Sequence, residues 1–207
     1  MTYRHDAALR ERIAANLARF AAEALPDNEL PGAAVAIVIG ADPNGDAVYA
    51  FIRRGLGLRS NPGQYALPGG RLDPGETAVI AARRELHEEL GIALDSASVL
   101  GVLDDFRSGL GRSITPVVLW ADGRHEFVPH PEEVHAAWWV SLGELDHPES
   151  PRWVDDPQAD GPVARMSVRG EWINPPTAAV LYQFREVALH GRSVRVRDIA
   201  SPRWTHR

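Results

Sequence analysis

The segment at residues 70–92 constrains this chain most, because it gathers carboxylates and an arginine in and around one predicted helix. It reads GRLDPGETAVIAARRELHEELGI. The Asp-Pro-Gly sequence at residues 73–75 is typical of a turn. The residues that follow favour a helix, and Gly91 is suited to end it. The segment therefore predicts a turn followed by a helix over residues 77–90.

One face of this predicted helix is acidic. Glu85, Glu88 and Glu89 are spaced i, i+3 and i+4, so their carboxylates converge. Converging carboxylates repel one another, and Mg²⁺ or Mn²⁺ relieves that repulsion because these ions prefer hard oxygen ligands. A separate apolar stripe is expected to pack on the core and to hold the acidic face outward: Ala78, Ala82, Leu86 and Leu90.

Written as a pattern, the segment is G-x5-E-x7-R-E-U-x-E-E-x-G-U, where U is aliphatic. This pattern resembles the Nudix box at every defined position. Seven fixed residues would recur by chance in about one chain in a million. That frequency argues against the simpler alternative, an ordinary solvated acidic face. The resemblance implies an α/β/α sandwich with a central mixed β-sheet, and a metal-dependent hydrolase.

The resemblance also implies roles for the residues of the box. Arg84 would be the ion-pair partner that positions the site, and Glu76 would support the loop and reach the metal through water. Gly70 would contribute its backbone carbonyl. The implied metal-binding set, which would hold Mg²⁺ or Mn²⁺, is Gly70, Glu76, Glu85, Glu88 and Glu89.

The group that accepts a proton from the attacking water is left open by the sequence. Glu88 and Glu89 are two alternatives within the box. Glu133 is a third, because similar enzymes use a glutamate from a later loop, and Glu133 directly precedes a predicted strand. An ordinary solvated acid is the competing interpretation of Glu133.

The segment just before the box narrows the substrate. Residues 58–70, LRSNPGQYALPGG, resemble the coenzyme A pyrophosphatase signature L-R-x-H-x-G-Q-[IV]-x-F-P-G-G. Asn61 stands where that signature has His, and Leu67 stands where it has Phe. The resemblance implies cleavage of a nucleoside diphosphate linked to another moiety, with coenzyme A or a derivative as substrate. Its products would be 3′,5′-ADP and 4′-phosphopantetheine.

Other functions remain open at this stage. A Nudix hydrolase could act instead on ADP-ribose, dinucleoside polyphosphates or nucleoside triphosphates. A Nudix-fold ligand sensor without turnover is a further alternative, although such proteins usually lose box carboxylates that this chain retains. Three arginines are hypothesised to bind substrate phosphates, because the guanidinium fork matches phosphate oxygens: Arg59, Arg107 and Arg112. An ordinary surface role is the alternative for each of them.

The composition limits the number of domains, the chemistry and the partners expected of this chain. With 207 residues, 44% of them hydrophobic, residues 1–207 are expected to form one domain. The absence of cysteine excludes disulfides, thiolate zinc sites and a cysteine nucleophile. A net charge of −6 argues against non-specific nucleic-acid binding. The chain has neither a transmembrane-length apolar run nor a signal-peptide core, so a cytoplasmic protein without membrane contact is expected.

Hydrophobic periodicity predicts the remaining elements. A helix is predicted over residues 6–25, docked on the sheet or forming a homodimer contact. A second amphipathic helix is predicted over residues 176–190, and a short one over residues 141–145. A long loop is predicted over residues 147–163, and a strand or extended tail over residues 192–199. The other strands are predicted at residues 33–39, 47–53, 99–106, 115–121 and 137–140.

Overall fold

The computed structural model describes residues 2–26, 30–157, 159–202 and 204. Its helices are α1 (Ala7–Phe20), α2 (Ala78–Leu90) and α3 (Thr177–Phe184). The strands are β1 (Gly32–Ala41), β2 (Ala47–Arg54), β3 (Tyr65–Ala66), β4 (Gly69–Arg71), β5 (Val99–Val102), β6 (Phe106–Arg107), β7 (Ser113–Trp120), β8 (Val134–Ser141), β9 (Arg152–Val154), β10 (Val163–Val168) and β11 (Glu171–Ile173).

Strand β1 lies at the centre of the main sheet. It pairs antiparallel with β2 and β4, and parallel with β7. The order through the sheet is β3-β2-β1-β7-β5, with β4 beside β1, β6 beside β7 and β8 beside β2. Within the described residues these eight strands form one sheet. Parallel and antiparallel pairs occur together, so the predicted mixed sheet is confirmed.

Both faces of β1 are buried, which explains its continuous apolar sequence. Ala34 and Ala36 belong to a core cluster that includes the apolar side chains of α2. Ile37 and Ile39 point to the opposite face and belong to a cluster that includes side chains of α1 and α3. The sheet therefore lies between two helical layers, which confirms the predicted α/β/α sandwich.

Helix α1 ends at Phe20 rather than near residue 25. Ala21 adopts a left-handed conformation with φ of 49°, which stops the helix. The guanidinium of Arg195 donates hydrogen bonds to the carbonyl oxygens of Phe20 and Ala21. The backbone N–H of Glu23 then donates to a side-chain oxygen of Asp104 at 2.8 Å. The termination depends on residues far along the chain, which a local sequence pattern does not contain.

The amphipathic helix predicted over residues 176–190 has the expected extent, but its last part is a π-helix. Helix α3 continues as a π-helical segment over Arg185–Leu189. The buried Arg185 side chain donates to the carbonyl oxygens of Leu145 and Ser150, at 3.1 and 2.7 Å. None of the helices in the described part of the chain combines the length and apolar composition that a bilayer crossing requires.

Two loop and strand predictions need correction, and one of the two alternatives for residues 192–199 is excluded. The strand predicted at residues 99–106 is divided into β5 and β6. The loop predicted over residues 147–163 contains β9, which joins β10 and β11 in a separate three-stranded sheet. Residues 192–199, all described, form no strand; Val196 and Ile199 are buried there as part of the core. Short strands carry too few residues for their alternation to be recognised in the sequence.

Asp146 connects an N-terminal residue to the end of the π-helical segment. Its carboxylate accepts a hydrogen bond from Tyr3 Oη at 2.6 Å and is joined to His190 Nε2 at 2.7 Å. Burial alone would raise the pKa of Asp146, but the bonds to Tyr3 and His190 outweigh it, and the pKa lies below its ordinary value. The ionised form therefore stabilises the native state above the unfolded pKa, and this stability is lost as pH falls through the lowered pKa.

We expect Asp146→Ala to lower the free energy of unfolding by about 1–3 kcal/mol at neutral pH. The difference from wild type should shrink as pH falls below about 4, where the carboxylate becomes protonated. Urea denaturation at both pH values measures this. Asp46→Ala, which removes an exposed pair with Arg4, is the control and should cost at most about 1 kcal/mol. Equal losses in the two variants would contradict the assignment.

Candidate active site

Strand β4 and helix α2 form a strand–loop–helix unit. The side chain of Thr77 accepts a hydrogen bond from the Ile80 N–H at 3.3 Å and caps the start of α2. Gly91 ends the helix in the left-handed conformation that its sequence predicts. Because β4 pairs with β1, Gly69 and Gly70 are held directly against the C-terminal half of α2.

Arg84 joins the acidic side chains to one another. Its Nε and Nη2 donate to the two carboxylate oxygens of Glu76, at 3.0 and 2.9 Å. Its Nη1 donates to Glu85 Oε1 and to Glu88 Oε2, each at 2.9 Å. Nη2 also donates to the carbonyl oxygen of Arg71 at 2.9 Å. One guanidinium therefore ties the loop, β4 and the acidic face of α2 together.

Glu76 is the main partner of Arg84. The hydrogen bond to Glu76 is the largest cause of the raised pKa of Arg84, and the reciprocal bond is the largest cause of the lowered pKa of Glu76. Glu76 Oε2 also accepts from the backbone N–H of Asp73 at 2.9 Å. Both oxygens of Glu76 are thus engaged in holding the turn ahead of α2.

The three carboxylates of α2 differ in burial, which corrects the expectation of an outward acidic face. Glu88 is exposed, Glu85 is half-buried and Glu89 is only 2% exposed. The N–H of Gly69, at the start of β4, donates to Glu89 Oε2 at 2.9 Å. Burial raises the pKa of Glu89 to about 8 and also raises the pKa of Glu85.

Residue 70 must be glycine because the Glu85 carboxylate occupies the space where a side chain would lie. A Cβ atom on Gly70 would lie 2.2 Å from Glu85 Oε1 and 2.4 Å from its carboxyl carbon. No side chain fits there while the Glu85 carboxylate keeps its position against the β4 backbone. Gly70, for which the family resemblance implied a role of the backbone carbonyl, therefore also leaves room for the Glu85 carboxylate.

A divalent cation fits this donor set. Among the described residues, no three acidic or histidine side chains are placed so that they could hold a metal ion. Arg84 Nη1 instead donates to one oxygen each of Glu85 and Glu88. Glu89, however, is a buried carboxylate whose ion-pair partner, Arg54 Nη1, lies 3.8 Å from Oε1. With so weak a partner, burial favours the protonated form of Glu89, as its raised pKa shows, and a bound cation would favour the carboxylate instead. Glu85, Glu88 and Glu89 supply the hard oxygens that Mg²⁺ and Mn²⁺ prefer.

Glu133 lies near the acidic cluster although it is distant in sequence. It is half-buried just before β8, and its carbonyl oxygen accepts from the Gly55 N–H at 2.7 Å. Burial is the main cause of the raised pKa of Glu85 and of Glu89, and the charge of Glu133 raises both pKa values further. The fold therefore brings all the predicted acidic residues into one neighbourhood.

The three predicted phosphate-binding arginines are not brought together. Arg112 is half-buried, and its pKa is lowered first by burial and then by the charge of Arg71, the residue after Gly70. Arg107 lines a different cavity, of 680 Å³, together with Arg197. Arg59 is exposed in the loop after β2.

Arg54 is a site residue that the sequence analysis did not assign. It ends β2, where the pairing with β8 shifts between Arg53 and Arg54. Together with Gly69 and Gly70, it lines a cavity of 140 Å³. The sequence held one indication, since β2 is apolar until it ends in two arginines, Arg53 and Arg54. The sequence shows neither the shift in pairing at this point nor the approach of Arg54 to Glu89.

We expect Gly70→Ala to weaken Mn²⁺ binding by about 10- to 100-fold while the protein remains folded. The added methyl group must push away the Glu85 carboxylate, the mobile end of a side chain, so the fold itself is little strained. Titration calorimetry with Mn²⁺ and thermal unfolding measure the two effects. Gly57→Ala is the matched control, because its added Cβ meets nothing within 4 Å. Equal Mn²⁺ affinity in both variants would contradict the role of Gly70.

The region of the chain that contains the strand–loop–helix unit is similar to known Nudix proteins. The sequence profile of the NUDIX domain matches residues 30–159. Nudix hydrolase 3 of Caenorhabditis elegans is 36% identical over 97 residues, covering 45% of this chain and 40% of that protein. The uncharacterized Nudix hydrolase NudL of Escherichia fergusonii is 38% identical over 96 residues, covering 46% and 50%. The chain thus spans about half the length of these relatives.

A solved structure supports the same fold. The MutT/nudix family protein from Enterococcus faecalis superposes with a TM-score of 0.55 at 14% identity, covering 79% of this chain and 64% of that one. At that identity the likeness concerns the fold alone. The profile match extends over more than half of the chain and includes the whole strand–loop–helix unit. The chain belongs to the Nudix domain family.

Proposed function

We propose that this chain is a hydrolase that cleaves the diphosphate of a nucleoside diphosphate linked to another group, using a divalent metal ion. The observation that carries the proposal is the buried Glu89 carboxylate, grouped with Glu85 and Glu88 against Gly69 and Gly70. Carboxylates brought together in this way, one of them out of water, are costly for stability and are typical of a functional site.

The protein groups have separable roles in this proposal. Glu85, Glu88 and Glu89 hold the metal, and Arg84 and Glu76 fix the loop that positions them. When bound, a divalent cation neutralises charge on the diphosphate and lowers the pKa of a water molecule. Glu88, Glu89 and Glu133 remain the alternatives for accepting that water's proton. Arg54 lies beside the cluster, where its guanidinium is available to a phosphate oxygen.

Coenzyme A or one of its derivatives is the substrate we propose. The support is the resemblance of residues 58–70 to the coenzyme A pyrophosphatase signature. In the fold, several of these residues line the 140 Å³ cavity that adjoins the acidic cluster: Asn61, Gln64, Tyr65, Leu67, Gly69 and Gly70. ADP-ribose, dinucleoside polyphosphates and nucleoside triphosphates are the alternative substrates. A sensor without turnover is disfavoured because every box carboxylate is present.

The test is product analysis with coenzyme A, ADP-ribose, NADH and dinucleoside polyphosphates in Mg²⁺ and in Mn²⁺. We expect coenzyme A to yield 3′,5′-ADP, and Glu89→Gln to lower kcat by about 10²–10⁴-fold. Glu171→Gln removes an exposed carboxylate from β11 and serves as the matched control. Turnover of another substrate alone would reject the coenzyme A assignment. Absence of turnover of any diphosphate would reject the hydrolase.

Arg112 is the arginine we propose for phosphate binding. It is half-buried near the charge of Arg71, and no described acidic side chain forms a salt bridge with either arginine. We expect Arg112→Gln to raise KM by roughly tenfold and to leave kcat nearly unchanged, because the contact is made in both ground and transition states. Arg124→Gln removes the same charge from an exposed loop and should leave KM unchanged. Equal KM values in both variants would contradict the assignment.

A further inference from the structure

Two neighbouring cavities lie between the loop before β4 and the start of α3. The first, of 140 Å³, extends from Arg54, Gly69 and Gly70 to Asn61. The second, of 170 Å³, reaches Trp172 and Asn174. Four residues line both cavities: Gln64, Tyr65, Pro176 and Thr177. The two cavities therefore share a wall. The first is lined by Gly69 and Gly70, which lie against the carboxylates of Glu89 and Glu85.

Unpaired polar atoms are concentrated around these cavities. In the described part of the chain, seven side chains have a buried polar atom without a hydrogen-bond partner. Three of them, Arg54, Asn61 and Asn174, line the two cavities. A buried polar atom left unpaired costs about 1–3 kcal/mol, so such atoms call for a specific explanation.

The unpaired donor and the unpaired acceptors lie at different positions along the two cavities. Arg54, beside Gly69 and Gly70, has an unpaired donor, Nε. Asn61 and Asn174 have unpaired acceptors, their Oδ1 atoms. An anion would be complementary to the end near Arg54, and a group with N–H or O–H donors would be complementary to the positions near the two asparagines.

The backbone fixes both asparagines. Asn61 has φ of 53°, and its carbonyl oxygen accepts from the Gln64 N–H at 3.4 Å, which closes a tight turn around Pro62 and Gly63. Arg53 Nε donates to the Gly63 carbonyl at 3.1 Å and holds that turn on β2.

Asn174 lies between β11 and α3. Its carbonyl oxygen accepts from the Ala178 N–H at 3.1 Å, and two prolines follow it in the chain. The backbones of both asparagines are therefore held in place by hydrogen bonds.

We propose that these two cavities form one binding groove for an organic arm of the substrate, and that Asn61 and Asn174 accept hydrogen bonds from N–H or O–H groups on that arm. The inference rests on the proposed function, because the phosphate end of the groove is the acidic cluster. Ligand pockets usually measure roughly 300 Å³ or more, which these cavities reach only when a ligand uses both. Tyr65, stacked on Phe51 at 5.9 Å between ring centroids, gives the shared wall a rigid apolar surface.

Two arms carry suitable donors: a nucleobase with an exocyclic amino group and a pantetheine chain with amide N–H groups. Equilibrium binding of AMP and of 4′-phosphopantetheine, each alone and with the metal removed by chelation, separates them. We expect one of the two probes to bind wild type. Asn61→Gly and Asn174→Ala should each weaken that probe by roughly tenfold. The probe that binds identifies the arm.

The variants are chosen to keep the fold. Glycine tolerates the positive φ of residue 61 and removes the whole side-chain amide, including its Oδ1 acceptor. Asn44→Gly, in the exposed turn between β1 and β2, is the matched control. Asn174→Ala tests the second cavity independently, so the result does not depend on one variant folding.

Failure of the groove and failure of the proposed function give different results. Wild type that binds neither probe, or asparagine variants with unchanged affinity, would overturn the groove whatever the enzyme cleaves. Probe binding that is lost in the variants, in a protein that hydrolyses no diphosphate, would support the groove and reject the hydrolase.

Discussion

The Arg84 guanidinium is the interaction on which the site depends. It binds both oxygens of Glu76 and one oxygen each of Glu85 and Glu88, and it also reaches the Arg71 carbonyl. A lysine could not replace it, because a single ammonium group lacks the planar fork that serves several acceptors in fixed directions. The same contacts fix the loop on α2 and keep like charges close together, so Arg84 supports both the local structure and the proposed metal site.

The sheet supplies the rest of the positioning. Strand β1 is buried on both faces and holds β4 on one side and β7 on the other, so Gly69 and Gly70 lie at a fixed place on the rim of the core. That placement buries Glu89 and joins the acidic cluster to the cavity near Arg54. An acidic cluster held by a sheet strand, next to a cavity, is the arrangement expected of a small-molecule site.

The sequence predicted the parts that depend on local or periodic patterns. The apolar run of β1, the turn before α2 and the glycine after it are short-range signals, and the structure has each of them. The burial of Glu89 could not be predicted, because it depends on β4 pairing with β1 and so bringing the Gly69 N–H to the Glu89 carboxylate. The approach of Glu133 and Arg54 depends on β8 pairing with β2, and the end of α1 depends on Arg195. These are long-range contacts that no sequence window contains.

The most direct test of the central claim is anomalous diffraction from crystals soaked with Mn²⁺. The account predicts a manganese peak within coordination distance of Glu85, Glu88 and Glu89, with Glu76 still paired to Arg84. A peak elsewhere would contradict the assignment of these carboxylates as metal ligands. So would a structure in which Glu85 and Glu88 stay on Arg84 and no manganese is bound beside Glu89.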